Sequence, residues 1–374
     1  MGVKIEVMDK EIPVYDITVE ENHNFYANGI LVHNCSEITL HTGLDHEGVE
    51  RTAVCCLSSL NLEKWDEWKD DSLFIYDVME FLDNVLSEYI DSAPESMKSA
   101  VHSAIRERSV GLGVMGFHSY LQSKMIPWES ALAKSFNYKV FKHIKTKVDD
   151  ASNTLALLRG PCEDAKAYAR EIGGVCWERF SYKTAIAPTA SISILCGQSS
   201  PGIEPYAANA FQQKVLGGNY SVKNRYLKQL LESKGKDTED VWLSITQNRG
   251  SVLHLDFLTD HEKDVFKTAI EIDQRWIIEL AADRAPLIDQ SQSVNLFIPT
   301  DIHKSDLHAI HYLAWKKGLK SLYYCRSTTL RNVDSIPSSL DNLKIDDSGH
   351  VKKTGLVRSV GPAITDLDEC LACQ

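Results

Sequence analysis

No run in this 374-residue chain stays apolar for a membrane-spanning length, and no secretory signal opens it, so neither an α-helical anchor nor export is expected. Positive charge is in deficit as well. The 40 Lys and Arg stand against 52 Asp and Glu, a net charge of −12, which argues against a general nucleic-acid surface while leaving room for a local phosphate pocket. The nine cysteines lack the regular spacing of a secreted disulfide framework, which points to a reducing, cytoplasmic compartment and to single thiols with separate tasks. Around Cys370-x-x-Cys373 there is no second pair and no nearby histidine, so a four-ligand zinc site is not expected and no metal ligand is assigned. What the chain does have is 43% hydrophobic residues, enough to bury a sizeable core and to build more than one domain.

The densest chemistry lies in His33-Asn34-Cys35. The side-chain amide of Asn34 can attack its own main-chain carbonyl, closing a succinimide and cutting the chain before Cys35, with His33 as proton donor. Cys35 then offers a thiol able to hold an acyl group as a thioester. With Asp16 inside Val14–Val19, and with His23-Asn24-Phe25 following, residues 1–34 resemble the C-terminal fragment of an intein; Val14–Val19 matches its penultimate block and Ile30–Cys35 its last. The resemblance implies that Asp16 and His23 tune the upstream thioester and the branched intermediate, that His33 and Asn34 perform cyclisation, and that Cys35 begins the C-terminal extein. A complete intein would carry a nucleophilic first residue and a Thr-x-x-His block far upstream. The expectation is therefore a naturally split intein, a short all-β fragment of the Hint type, whose N-terminal fragment and extein are a separate polypeptide.

From Cys35 onward a second set of blocks follows. These are Cys35-Ser36-Glu37, the Arg51–Leu62 stretch with Cys55-Cys56, Gly111-Leu112-Gly113-Val114-Met115-Gly116, Ala187–Ser193, Pro201-Gly202-Ile203-Glu204-Pro205, Leu322-Tyr323-Tyr324 and Cys370-x-x-Cys373. Each alone is weak, but in this order and spacing they resemble the large catalytic subunit of ribonucleotide reductase over essentially all of 35–374. The resemblance implies an α/β fold, the second half of a ten-stranded α/β barrel with an active-site loop threaded inside. Domain bounds are expected at 1–34, 35–330 and 331–374, the last a polar, flexible tail.

Removing a ribose 2′-hydroxyl needs a sugar radical, an acid or base, and two electrons from a dithiol. On the resemblance, a Cys35 thiyl abstracts the 3′-hydrogen, Glu37 takes the 3′-hydroxyl proton, and Cys55 is one of the reducing pair, its partner lying in the absent N-terminal half. Cys56 reads as a small buried residue. The family places an asparagine two residues before the radical cysteine, whereas Asn34 directly precedes Cys35. Asn34 thus belongs to the intein, splicing would complete the active-site loop, and the unspliced precursor should be inactive as a reductase.

Thr189, Ala190, Ser191, Ile192 and Ser193, small and hydroxyl residues at the end of an apolar strand, could cradle a diphosphate; an ordinary strand-to-helix turn with a hydroxyl cap would look the same. Gly111, Gly113 and Gly116 loosely resemble a phosphate loop and are read as close packing of a strand against its following helix. Tyr323 and Tyr324 by themselves read as core. The resemblance makes them a relay bringing an oxidising equivalent from a metal-containing small subunit to Cys35. Cys370 and Cys373 would re-reduce the active-site disulfide and be recharged by thioredoxin or glutaredoxin. Cys162, Cys176, Cys196 and Cys325 are expected only to pack.

Apolar spacing predicts a helix through Ile75, Val78, Met79, Leu82, Leu86, Tyr89 and Ile90, others over 130–158 and 263–281, and buried strands near 110, 184 and 321. Val14–Val19 and Ile30–Val32 read as strands, with Asn28-Gly29 a turn. The resulting expectation is a precursor spliced in trans into a class I ribonucleoside-diphosphate reductase large subunit. It would bind no cofactor directly, act on ribonucleoside diphosphates, dimerise, and answer to ATP and dNTP effectors at sites in the other half. Two alternatives stay open: a cobalamin-dependent reductase needing no small subunit, and an inert or autocleaving relic.

Overall fold

Short apolar and small-residue runs separated by amphipathic helices set the architecture. In the computed structural model the residues described are 24–27, 30–33, 36–215, 218–327, 343–345 and 351–353, with side chains described for 36–211 and 221–327. Leu57–Asn61 pairs in parallel with Gly111–Met115, Leu112 bridges in parallel to Thr184, and Ile186 to Gln292. Leu296–Ile298 then pairs in parallel with Cys325–Ser327. Five extended segments, near 57–61, 111–115, 184–187, 291–298 and 323–327, therefore lie side by side in one direction.

Parallel neighbours require long crossovers, and helices supply them. Phe74–Ser92 and Lys98–Glu107 join the first two segments; Phe117–Ser123, Ala131–Arg159 and Glu163–Glu171 join the second to the third. The fourth and fifth are joined through Lys304–Lys316. Met79, Leu82 and Leu86 of Phe74–Ser92, and Val140, Ile144 and Val148 of Ala131–Arg159, pack in one core with Leu60, Val114, Ile186 and Val294 of the strands. A smaller core, including Leu227, Leu231, Trp242, Ile245 and Phe266, closes the insertion between the third and fourth segments. No helix among the described residues is long and apolar enough to cross a membrane.

One buried carboxylate ties the crossovers together. Asp83, fully buried on Phe74–Ser92, pairs with Arg108 just past Lys98–Glu107 at 2.7 Å, with Arg159 at the end of Ala131–Arg159 at 2.8 Å, and with Arg179 in the connection after Glu163–Glu171 at 2.9 Å. Burial alone would raise its pKa, but the arginines outweigh it and hold the carboxyl below its ordinary value.

The expected helix over 74–92 and the long one after 130 are present, the latter capped by the Ser130 hydroxyl, which accepts from the Ala133 N–H. The helix expected over 263–281 is two helices, Asp260–Val265 and Gln274–Arg284. Local capping explains the break: Glu271 accepts from the N–H and hydroxyl of Thr268, and Asp273 then caps the second helix through the Arg275 N–H. Near the N-terminus, Asn24–Ala27 pairs antiparallel with Ile30–His33, extended segments being expected on both sides of Asn28-Gly29, which itself lies outside the described residues. The expected strand Val14–Val19 lies outside the described residues.

Candidate active site

The segment after Cys35 runs across the strands. The Ser291 N–H donates to the Glu37 carbonyl at 2.9 Å, the Thr39 N–H donates to Gln290 Oε1 at 3.2 Å, and the Ser321 hydroxyl donates to the Ser36 carbonyl at 3.0 Å. Glu37 has no exposed surface; its Oε2 accepts from the Ser293 hydroxyl at 2.5 Å, while its buried Oε1 has no hydrogen-bond partner among the described residues. A buried acid with one oxygen held and one unengaged is poised to accept a proton from something placed beside it.

The segment at 291–298 also carries the tyrosines. The Tyr323 N–H donates to the Val294 carbonyl at 2.9 Å, and the Tyr324 N–H donates to Asn295 Oδ1 at 2.9 Å. Asn295 in turn donates to buried Glu204 at 2.6 Å. The two phenol oxygens lie 3.2 Å apart and the ring centroids 4.0 Å apart, with the Arg326 guanidinium 5.7 Å from the Tyr324 ring. Such contact between phenol groups suits the handing of an electron and a proton between them. The two tyrosines and Glu37 are thus held by adjacent residues of one strand segment.

Thr189 lies at the turn before the short helix Ala190–Leu195 in a left-handed conformation, φ +55°. Its hydroxyl does not cap that helix but accepts from the Gly202 N–H at 2.7 Å. Gly202 itself, at φ +46°, leaves no room for a Cβ, which would lie 2.9 Å from the Ala187 carbonyl oxygen. The 187–193 and 201–205 blocks are therefore one structural unit, although 13 residues separate the bonded pair. Ala190, Ser193 and Ile194 also line a cavity of about 350 Å³ with Pro201, Tyr206 and Phe211.

Gly111, Gly113 and Gly116 follow the G-x-G-x-x-G spacing, yet the first two lie inside a buried strand rather than in a loop. A Cβ on Gly113 would lie 2.3 Å from the Ala185 carbonyl oxygen, and one on Gly111 2.2 Å from the Leu57 side chain. The close packing foreseen for these two is against neighbouring strands and not against the following helix. Gly116, at φ +79° beside Asn61, makes the turn into Phe117–Ser123.

Among the cysteines, Cys55 is exposed and free. Cys56 is buried as expected, and burial pushes its thiol up to about 11. Cys162 is buried too, but Cys196 and Cys325 are exposed, so these two do not pack as expected. Cys196 ends a short helix and Cys325 opens a strand beside His311, at 3.6 Å. Asp16, His23, Asn34, Cys35, Cys370 and Cys373 lie outside the described residues, and of His33 only the backbone is described, at the end of its strand. Among the described residues no cluster of three or more His, Cys, Asp or Glu is placed to hold a metal ion.

Sequence reasoning missed Ser291, Ser293 and Asn295, and the bond that Glu204 accepts from Asn295. Residue type gave little signal: 289–293 is a continuous polar run, Asp-Gln-Ser-Gln-Ser, in which nothing local marks the side chain that meets Glu37.

Residues 12–325 match the family profile described as the barrel domain of ribonucleotide reductase. The ribonucleoside-diphosphate reductase large subunit of Invertebrate iridescent virus 6 is 48% identical over 341 residues, covering 90% of this chain and 34% of that protein. The corresponding subunit of Invertebrate iridescent virus 3 is 47% identical over 305 residues, 81% of this chain and 46% of that one. Among solved structures, the Actinobacillus ureae class Id ribonucleotide reductase alpha subunit superposes with a TM-score of 0.69 at 38% identity, covering 79% of this chain and 52% of that chain. The chain thus spans between a third and about half of these relatives.

Proposed function

Because this chain belongs to the ribonucleotide reductase barrel-domain family, we propose that it supplies the C-terminal half of the catalytic barrel of a class I ribonucleoside-diphosphate reductase large subunit, delivered behind a split-intein C-fragment. The observation that carries the reductase reading is the fully buried Glu37, two residues after Cys35, pinned to the strand segment from which Tyr323 and Tyr324 also hang. In this reading a Cys35 thiyl takes the 3′-hydrogen of a ribonucleoside diphosphate and Glu37 accepts the 3′-hydroxyl proton through its unengaged oxygen. Cys55, with a cysteine from the other half, gives the two electrons that replace the 2′-hydroxyl by hydrogen, and the pair leaves as a disulfide. Cys370 and Cys373 reduce that disulfide and pass the oxidation to thioredoxin or glutaredoxin. Thr189–Ser193 receives the diphosphate.

The contact between the Tyr323 and Tyr324 phenols favours import of an oxidising equivalent from a metal-containing small subunit over a cobalamin-dependent enzyme. Nucleotide effectors, dimerisation of the joined subunit and a cytoplasmic setting follow from the same reading. The splicing reading rests on Asp16, His23, His33, Asn34 and Cys35 as a motif; the family profile reaches back to residue 12, across the junction this motif implies.

Intact-mass measurement of this chain mixed with a candidate N-terminal polypeptide tests both parts. The expected result is release of residues 1–34 and a ligated product joined at Cys35, abolished in Asn34→Ala. The ligated product, given small subunit and a dithiol reductant, then converts ribonucleoside diphosphates to deoxyribonucleotides. An unchanged chain, or cleavage without ligation, rejects splicing for that pair. A ligated product that reduces nothing rejects the reductase reading.

A further inference from the structure

Glu37 lies fully buried, yet only one of its carboxyl oxygens is engaged. The Ser293 hydroxyl donates to Oε2 at 2.5 Å, and Oε1 has no partner among the described residues. Rotation about the last side-chain bond of glutamate is broad, so the acid's own stereochemistry does not decide which oxygen faces a substrate. Ser293 does not share that freedom. Its N–H donates to the Ile186 carbonyl at 2.9 Å, the Ile186 N–H donates to the Ser291 carbonyl at 3.0 Å, and the next carbonyl, of Val294, accepts from Tyr323 at 2.9 Å. The hydroxyl is therefore mounted on backbone fixed from both flanking segments.

The same strand fixes the acid's main chain, since the Ser291 N–H donates to the Glu37 carbonyl at 2.9 Å. Two bonds two residues apart, one to the backbone and one to the side chain of Glu37, leave a single oxygen without a partner. An unengaged carboxyl oxygen in a buried site is costly unless a donor arrives to meet it.

We infer that Ser293 is a positioning residue for proton transfer: by holding Oε2 it presents Oε1 of Glu37 to the donor hydroxyl of the bound substrate. This rests on the reductase reading above. Ser293 touches no reacting atom; it acts through Glu37.

The test uses the joined large subunit with its small subunit, comparing wild type, Ser293→Ala and Ser293→Thr for kcat and for KM of a ribonucleoside diphosphate. Misaiming the acid is expected to lower kcat by about 100-fold in Ser293→Ala with KM within about twofold of wild type, because the loss is one of orientation. Ser293→Thr, which keeps the hydroxyl, is expected to recover most of kcat. If Ser293→Ala melts below the assay temperature, Ser293→Cys, which keeps the volume with a weak donor, takes its place with the same expected split. A kcat for the hydroxyl-free variants close to wild type overturns the proposal, and so does a loss that Ser293→Thr does not recover. Inactive wild type in the same assay overturns the reductase reading and this proposal with it, whereas active wild type beside equally active variants overturns this proposal alone.

Discussion

Glu107 ends the Lys98–Glu107 helix with its carboxyl buried and neither oxygen hydrogen-bonded among the described residues. Burial pushes its pKa from 4.5 up to about 7; nearby Arg51 pulls the other way and Asp164 adds to the rise. A raised folded-state pKa means the folded chain holds this proton more tightly than the unfolded chain. The contribution is complete below about pH 4.5 and is lost as pH rises through about 7, a loss of about 3 kcal/mol. Glu107→Gln, which cannot ionise, is expected to be more stable than wild type at pH 8 and to show little advantage at pH 4.5. Urea midpoints at the two pH values check this; equal midpoints at pH 8 would show that the carboxyl is not desolvated in the folded chain.

At the scale of elements, the parallel arrangement depends on places where backbone meets backbone. Gly113 faces the Ala185 carbonyl oxygen so closely that a Cβ would sit at 2.3 Å, and the carbonyl cannot swing away because residues 184–186 are bridged on both sides. Gly113→Ala is therefore expected to cost at least about 3 kcal/mol. Gly174→Ala, whose Cβ would meet only the Ile172 side chain at 3.4 Å, is expected to stay within about 0.5 kcal/mol of wild type. Thermal melts of the two variants decide the matter, and similar melting temperatures would mean that the strands adjust freely. The helices, by contrast, are held by side chains. Asp83, on the first crossover, joins Arg108 of that crossover to Arg159 and Arg179 of the second, so the relative placement of the two is fixed by charge-assisted bonds as well as by the apolar core.

At the scale of the molecule, five parallel segments form an open set among the described residues. Leu57–Asn61 and 323–327 are its outer members, each paired on one side. A strand at the edge of a sheet can take another strand beside it. If the N-terminal half completes a barrel, amides of these outer segments should gain protection from hydrogen exchange on joining, while those of Gly111–Met115, already flanked on both sides, should change little. Unchanged exchange at both edges would mean that the halves do not meet through these strands.

The sequence by itself determined the order of the blocks and the family they resemble. Cys35-Ser36-Glu37, Cys55, Thr189–Ser193 and Tyr323-Tyr324 are local runs that resemblance, rather than residue type alone, singled out, and helical periodicity marked 74–92 because one face of an isolated helix must be apolar to pack. Only the tertiary structure decided what surrounds them. Ser293 meets Glu37 across 256 positions of sequence, and Asn295 meets Glu204 across 91. It also decided that Gly113 is needed by Ala185, and that the expected helix over 263–281 breaks at Thr268–Asp273. The reason is physical: reactivity and periodicity are properties of a few neighbouring residues, whereas hydrogen-bond partners of buried groups are chosen by whichever distant segment the closing core brings within 3 Å.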